Sequence, residues 1–355
     1  MRIDVDKIAS AARHVVSHTR VVLGTTIPAV AGTVVAGRVL DEKSTYKELE
    51  DAHGRMRTVH RGDLIVGVLG SRDALRGYSG VVPETVAPGD ILHLLNLGGV
   101  IGRCTSVNPD VGQPFRVEIL GSVLRLTGDD RQGEPASILP GPVPLLEELP
   151  QLPPVVLLAG TCMHAGKTAA ACALVRRAAR RGLSVGACKL TGVALRRDTL
   201  EMEDHGAFVA HSFADAGLPS TNTGPVVPAA RGVLAAVAEH RPDLIVAELG
   251  DGLLGTYGVM DVLTDPAIQR SVSAVVLSAN DPVGAWGAVQ LLEPLGLRPV
   301  VVTGPATDNA AGCSVITERS GVAAINARQA SEAFGDHVLD GLRGAPSLRV
   351  VAGRR

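Results

Sequence analysis

Aromatic residues are nearly missing from this chain: four phenylalanines, three tyrosines and one tryptophan make up 2% of 355 residues. Aromatic cross-strand pairs are therefore excluded as its main stabilising device. The apolar remainder, mostly Val, Ala and Leu, suits buried parallel strands covered by helices. Charge of one sign is lacking too. With 34 Lys and Arg against 36 Asp and Glu, the net charge is −2, and no basic stripe marks a nucleic-acid or anionic-membrane partner. The five cysteines, Cys104, Cys162, Cys172, Cys188 and Cys313, are scattered and contain no CxxC pair, which argues against a disulfide framework or zinc knuckle and for a reducing compartment. No apolar run approaches the roughly 18 residues of a membrane helix. The opening "MRIDVDKIASAARHVVSHTR" carries charges throughout, unlike a signal peptide. A soluble cytoplasmic protein is expected. Lysine is scarce as well, with only Lys7, Lys43, Lys47, Lys167 and Lys189 among the 34 basic residues.

The length exceeds that of one hydrophobic core and predicts two domains. Prolines at 140, 142, 144, 150, 153 and 154 forbid a continuous helix or central strand and place a linker over 138–154. The domains are expected over 1–150 and 151–355. Ahead of the linker, runs such as "AGTVVAGRVL", "GDLIVGVLG" and "FRVEILGSVLRL" are closed by Gly, Pro and Asp, and predict a small β-rich barrel or sandwich over 20–130. Gly98 and Gly99 read as a bulge or tight bend. Behind the linker, "PVVLLAG", "LSVGACKL", "PDLIVAELG", "VSAVVLSA" and "RPVVVTG" alternate with helical stretches. The fold class expected is α/β, a parallel sheet preceded by a smaller β-rich domain. Ligands of such sheets sit at the carboxyl ends of the strands.

The stretch "AGTCMHAGKTAA" follows the first of these strands. Gly160, Gly166, Lys167 and Thr168 satisfy G-x-x-x-x-G-K-[ST], the Walker A pattern of P-loop NTPases. Its glycines allow close approach of the backbone to an anion, its amides and helix start face phosphates, its lysine reaches the outer oxygens and its threonine meets Mg²⁺. Thr161, Ala165 and Ala169 complete the expected nucleotide-binding set. Lys167 and Lys189 are the only lysines after residue 155, and a compact ammonium at a phosphate is poorly replaced by arginine. Lys189 ends the second strand and points toward the same crevice, beside Thr191 and Gly192. Glu248 ends the strand "DLIVAELG", where a nucleotide hydrolase carries an acid for Mg²⁺. Asp198 is the first choice to complete a metal set of Thr168, Glu248 and Asp198. Cys162 and His164 resemble a nucleophile and base without an orienting acid. His205 and His211 read as structural or surface side chains. Arg72, Arg76 and Tyr78, in "GSRDALRGYSG", form either an anion clamp or a solvated turn.

Residues 155–310 resemble the dethiobiotin synthetase family and its cobyrinic-acid amidating relatives, through "GTCMHAGKT", "CKLTG", "VAELGDGLLG" and "VVLSANDPVGAWGAVQLLEPLGLRPVVVTG". The resemblance implies ATP and Mg²⁺, with Lys167 and Thr168 on phosphates and metal. It also implies Lys189 on a substrate anion and Glu248 with Asp198 at the metal. Homodimers among these relatives imply one here. Cys162 and Met163 stand where the family's loop has Asp-Thr, the β-rich front domain is foreign to it, and Thr303, Gly304 and Pro305 do not supply its adenine-reading Asn. Asp308 and Asn309 lie nearby. Dethiobiotin synthesis itself is therefore set aside. The expected function is an ATP- and Mg-dependent ligase or small-molecule kinase acting on a small anionic metabolite, with Lys167, Lys189 and Glu248 catalytic and Arg72 and Arg76 assisting. The alternative is a nucleotide-hydrolysing switch or maturation accessory protein acting on a protein partner.

Overall fold

The computed structural model describes residues 1–125 and 133–342. Its contacts divide into two compact units. The first holds Met1–Pro144 together with Val193–Arg197 and Phe213–Gly224, and the second holds Leu145–Gly192, Asp198–Ser212 and the chain from Pro225 onward. This corrects the division expected near residue 150: two later segments belong to the first unit. Residues 138–154 carry no helix or strand.

In the first unit, strands Val34–Val39, Leu64–Leu69, Val100–Val107, Ile91–Leu94 and Arg116–Arg125 pair in that order, and the last pairs back to the first. These pairings close a ring, so the barrel alternative holds. Val35, Val39, Ile65, Leu69, Leu92, Leu94, Ile101, Val117 and Ile119 alternate along their strands and fill one cluster. Such a narrow barrel needs small residues between large ones. A Cβ at Gly37 would overlap Val117, and one at Gly67 would lie 2.6 Å from the Gly99 carbonyl oxygen.

In the second unit, seven parallel strands lie in the order Val209–Ser212, Val185–Thr191, Leu244–Leu249, Val155–Gly160, Val272–Ser278, Val301–Thr303 and Ala323–Ala324. Every residue of the Val155–Gly160, Val185–Thr191 and Leu244–Leu249 strands is buried, as expected for a sheet covered on both faces. The Lys167–Arg180 helix buries Ala170, Ala171, Leu174, Val175 and Ala178, a spacing of three and four that turns one face to the core. Its solvent side is pinned by Arg177, whose Nε and Nη2 donate to Asp336 at 2.8 and 2.7 Å. Among the described residues no helix is long and apolar enough to cross a membrane.

The order of strands explains where the site forms. The chain leaves Gly160, crosses over and returns as Val185–Thr191, leaving room between the two for Leu244–Leu249. Leu158 and Lys189 are both register partners of Glu248. Three strand ends that are far apart in sequence therefore lie side by side at one edge of the sheet.

Candidate nucleotide site

The loop between Gly160 and Lys167 is shaped by backbone that few residues adopt. Gly166 has φ of 95° at the helix start, where glycine has no steric cost, and His164 has φ of 59°. No side chain caps the helix at Gly166, so its first amides are left for an anion. A Cβ at Gly160 would lie 2.9 Å from Lys167 Cδ and 3.1 Å from its Nζ. Glycine there lets the lysine fold across the strand end. Lys167 is only 6% exposed, and its ammonium donates to the Cys162 carbonyl at 2.9 Å. Burial lowers its pKa, Glu248 opposes that shift and the Lys189 charge adds to it.

Around this loop stands a small network of buried charges. The Thr168 hydroxyl donates to Glu248 Oε1 at 3.1 Å. Glu248 is 3% exposed, and its Oε2 has no hydrogen-bond partner. Burial raises the pKa of this carboxyl, Asp198 raises it further, and Lys189, Lys167 and the Thr168 hydroxyl pull it back. The Lys189 ammonium donates to the Asp198 carboxylate. Asp198 lies in the first turn of the helix Arg197–Asp204 and is itself buried.

A hard cation fits these donors. Thr168, Glu248 and Asp198 offer only oxygen, and the unbonded Glu248 Oε2 is a buried acceptor in need of a donor or a metal. Among the described residues no group of three or more His, Cys, Asp or Glu side chains could hold a metal by itself.

The other expected residues fall as follows. Thr161 donates its backbone N–H to the Ser278 carbonyl at 2.9 Å, which ties the loop to the next strand. Ala165 is fully buried. Ala169 lines a cavity of about 80 Å³ together with His164, Gly166, Gly304, Asp308 and Asn326. The Thr191 hydroxyl donates to the Gly250 carbonyl at 2.8 Å and braces the glycine-rich turn. Gly192, with φ of 127°, ends that strand. The anion clamp does not assemble. Arg72 is buried and donates to the Tyr46 hydroxyl at 3.0 Å and to the Leu95 carbonyl, Tyr78 receives the Lys43 ammonium at 2.6 Å, and Arg76 is exposed. His205, just past the helix Arg197–Asp204, donates from Nδ1 to the Glu201 carbonyl at 2.7 Å, and His211 packs near His240. Asn309 is spent as a helix cap, its Oδ1 accepting from Gly312 at 2.9 Å.

Sequence reasoning missed Asn280. Its amide donates to Cys162 Sγ at 2.8 Å, and the Cys162 thiol donates in turn to the Met163 carbonyl at 3.1 Å. The only local signal is the position of Asn280, just beyond the strand Val272–Ser278. Asn326 was also missed: it donates to Asp308 at 2.8 Å and accepts from the amides of Arg328 and Gln329.

No family model matches the sequence, and no curated protein matches it. Solved structures do. The signal recognition particle 54 kDa protein of Aeropyrum pernix in complex with GDP is 19% identical, with 53% of this chain and 44% of that one covered at a TM-score of 0.37. Chloroplast FtsY of Physcomitrella patens is 16% identical, with 51% and 59% covered at 0.35. The signal recognition particle receptor FtsY of Elizabethkingia anophelis, in complex with GDP, is 14% identical, with 56% and 68% covered at 0.38. The first two matches span about half of those chains. The expectation of a ligase or small-molecule kinase is withdrawn on the geometry of the site itself. Lys189, on which that expectation leaned for a substrate anion, is paired with Asp198.

Proposed function

We propose that the second unit binds a Mg²⁺–nucleoside triphosphate on the 160–168 loop, hydrolyses it slowly, and uses the change as a switch directed at a protein partner. The observation that carries this reading is the buried network of Lys167, Thr168, Glu248, Lys189 and Asp198. Its charges already answer one another. A phosphate arriving at Lys189 competes with Asp198, and a metal arriving at Glu248 competes with the Thr168 hydroxyl. A ligand that binds two arrangements unequally shifts their populations, and loops ordered by a γ-phosphate and Mg²⁺ are a common form of such a switch.

The roles follow from the chemistry of each group. The amides of the loop and helix start hold the β- and γ-phosphate oxygens, and Lys167 leaves the Cys162 carbonyl for them. Thr168, Glu248 and Asp198 would hold Mg²⁺, which would supply positive charge against the phosphates. Glu248 keeps one oxygen, Oε2, free to accept a further hydrogen bond. At the 80 Å³ cavity, Asp308 presents a carboxylate that accepts only. Guanine offers it two adjacent donors, where adenine offers a donor beside an acceptor. GTP is therefore the nucleotide expected to bind, in place of the ATP that the sequence resemblance implies.

Calorimetric titration with GTP, ATP and GDP in Mg²⁺ tests this. Wild type is expected to bind GTP in preference to ATP, Lys167→Ala is expected to lose at least about 100-fold in affinity, a loss of roughly 2.7 kcal/mol, and turnover without a partner should be slow. Equal nucleotide binding by wild type and Lys167→Ala would sink the reading.

A further inference from the structure

Glu50 lies in the first unit, in the short strand Glu48–Glu50, and is fully buried. A buried carboxylate is costly unless it is bonded. Here it accepts from two consecutive backbone amides: Arg196 donates to Oε2 and Arg197 donates to Oε1, each at 2.6 Å. Those amides open the helix Arg197–Asp204, so the carboxylate also meets the positive end of the helix. Nearby bonds hold the same stretch. Asn96 donates to the Ala194 carbonyl at 2.7 Å, the Ala194 amide donates to the Pro219 carbonyl at 2.9 Å, and Arg196 Nη1 donates to the Ala52 carbonyl at 3.0 Å. The expected bend at Gly98 has a further cause: a Cβ there would overlap the Ala194 carbonyl.

The residues on either side of this clasped stretch are Lys189, near the end of the strand Val185–Thr191, and Asp198, which is bonded directly to Arg197. They are the ion pair of the nucleotide site. The chain passes from the first unit to the second at the Arg197–Asp198 peptide bond. Whatever fixes the amide of Arg197 fixes the start of the helix turn from which Asp198 projects.

We propose that Glu50 is a positioning residue for the nucleotide site: by holding the Arg196 and Arg197 amides it sets where Asp198 stands for Mg²⁺. The proposal rests on the Mg²⁺–nucleotide reading above. Glu50 touches neither nucleotide nor metal. A change in the first unit that loosens Glu50 would therefore be felt as a change in metal affinity, and departure of Asp198 from Lys189 would pull on the amides that Glu50 holds.

The test uses the full chain and GTP titrated with and without Mg²⁺, on wild type, Glu50→Gln, Asp198→Asn and the double variant. In Glu50→Gln one amide keeps an acceptor, and the other faces an NH₂ group. Expected is Mg²⁺-free affinity within about twofold of wild type, and a Mg²⁺ enhancement cut by about 10-fold, the usual effect of losing a group that orients a metal ligand. Hydrogen exchange of residues 196–202 should rise without any nucleotide present. The double variant should be no worse than Asp198→Asn, because both changes act through one group. Arg197→Pro is the second variant: it removes one amide at the first helical position, where proline is tolerated, leaves Glu50 in place, and should weaken the Mg²⁺ enhancement in the same way. An intact Mg²⁺ enhancement in Glu50→Gln, or additive losses in the double variant, overturns the role of Glu50 alone. A wild type that binds no nucleotide overturns the nucleotide reading and this proposal with it.

Discussion

At Glu248 a carboxylate sits buried, bonded to Thr168 through one oxygen and unbonded through the other. Burial raises its pKa, so the folded state favours the protonated form more than the unfolded chain does. Its contribution to stability is then greatest at low pH and falls as pH rises through the folded-state value. Glu248→Gln removes that penalty. The variant should melt about 2–4 °C above wild type at pH 8, with the gain shrinking as pH falls and Glu248 takes up its own proton. Its Mg²⁺-dependent nucleotide affinity should drop. Thermal unfolding at several pH values checks the first half and calorimetry the second. A variant less stable than wild type at pH 8 would mean that the buried charge is better compensated than the bonding pattern allows.

Elements, too, depend on single carboxylates. Asp265 caps the helix Pro266–Ser271 by accepting from the Ile268 amide at 2.9 Å, and it also receives the Arg231 guanidinium. Burial pushes its pKa up, but the Arg231 bond and the Ile268 amide outweigh that and the net shift is downward. A depressed folded-state pKa gives stability that is complete above the unfolded value, near pH 4, and is lost as pH falls through the folded value. Asp265→Asn should cost about 1 kcal/mol at neutral pH, and the gap from wild type should close in acid. Urea unfolding at pH 7 and pH 3 reads this out. A gap that stays constant with pH would assign the effect to the cap alone and not to the ion pair.

At the scale of the whole molecule the two units are threaded through one another along the chain. Arg13 donates to Asp215, and His14 lies 2.7 Å from the same carboxylate, while Glu50 needs the amides of Arg196 and Arg197. A fragment ending at Pro144 would keep Glu50 and Arg13 but lose their partners. It should fail to unfold cooperatively, or should unfold at clearly lower urea than the intact chain. A midpoint equal to that of the intact chain would show that the later segments add nothing to the first unit.

The same threading sets how far the sequence could be read. The parallel sheet was legible because each strand is a compact apolar run, and the turn from strand to helix over 160–168 was legible because Gly160, Gly166, Lys167 and Thr168 stand at a fixed spacing right after such a run. Barrel closure was legible only as one of two choices, since alternation along a strand does not say which strand it pairs with last. The pairing of Lys189 with Asp198 was missed because each, taken alone, suits a ligand. Glu50, Asn280 and Asn326 were missed for another reason. Their partners are backbone amides, a thiol and a carboxylate brought near by tertiary folding, and no local periodicity encodes such bonds.

Division of the first unit into an early stretch and two late segments also has a consequence for synthesis. A ribosome that has released Pro144 has not yet made Asp215 or the 193–197 stretch. At roughly 5–20 residues per second, the nascent barrel waits several seconds with Glu50 and Arg13 unanswered. The order of manufacture is thus reversed at the last step: the part made first can be completed only after three of the seven strands of the parallel sheet have been made.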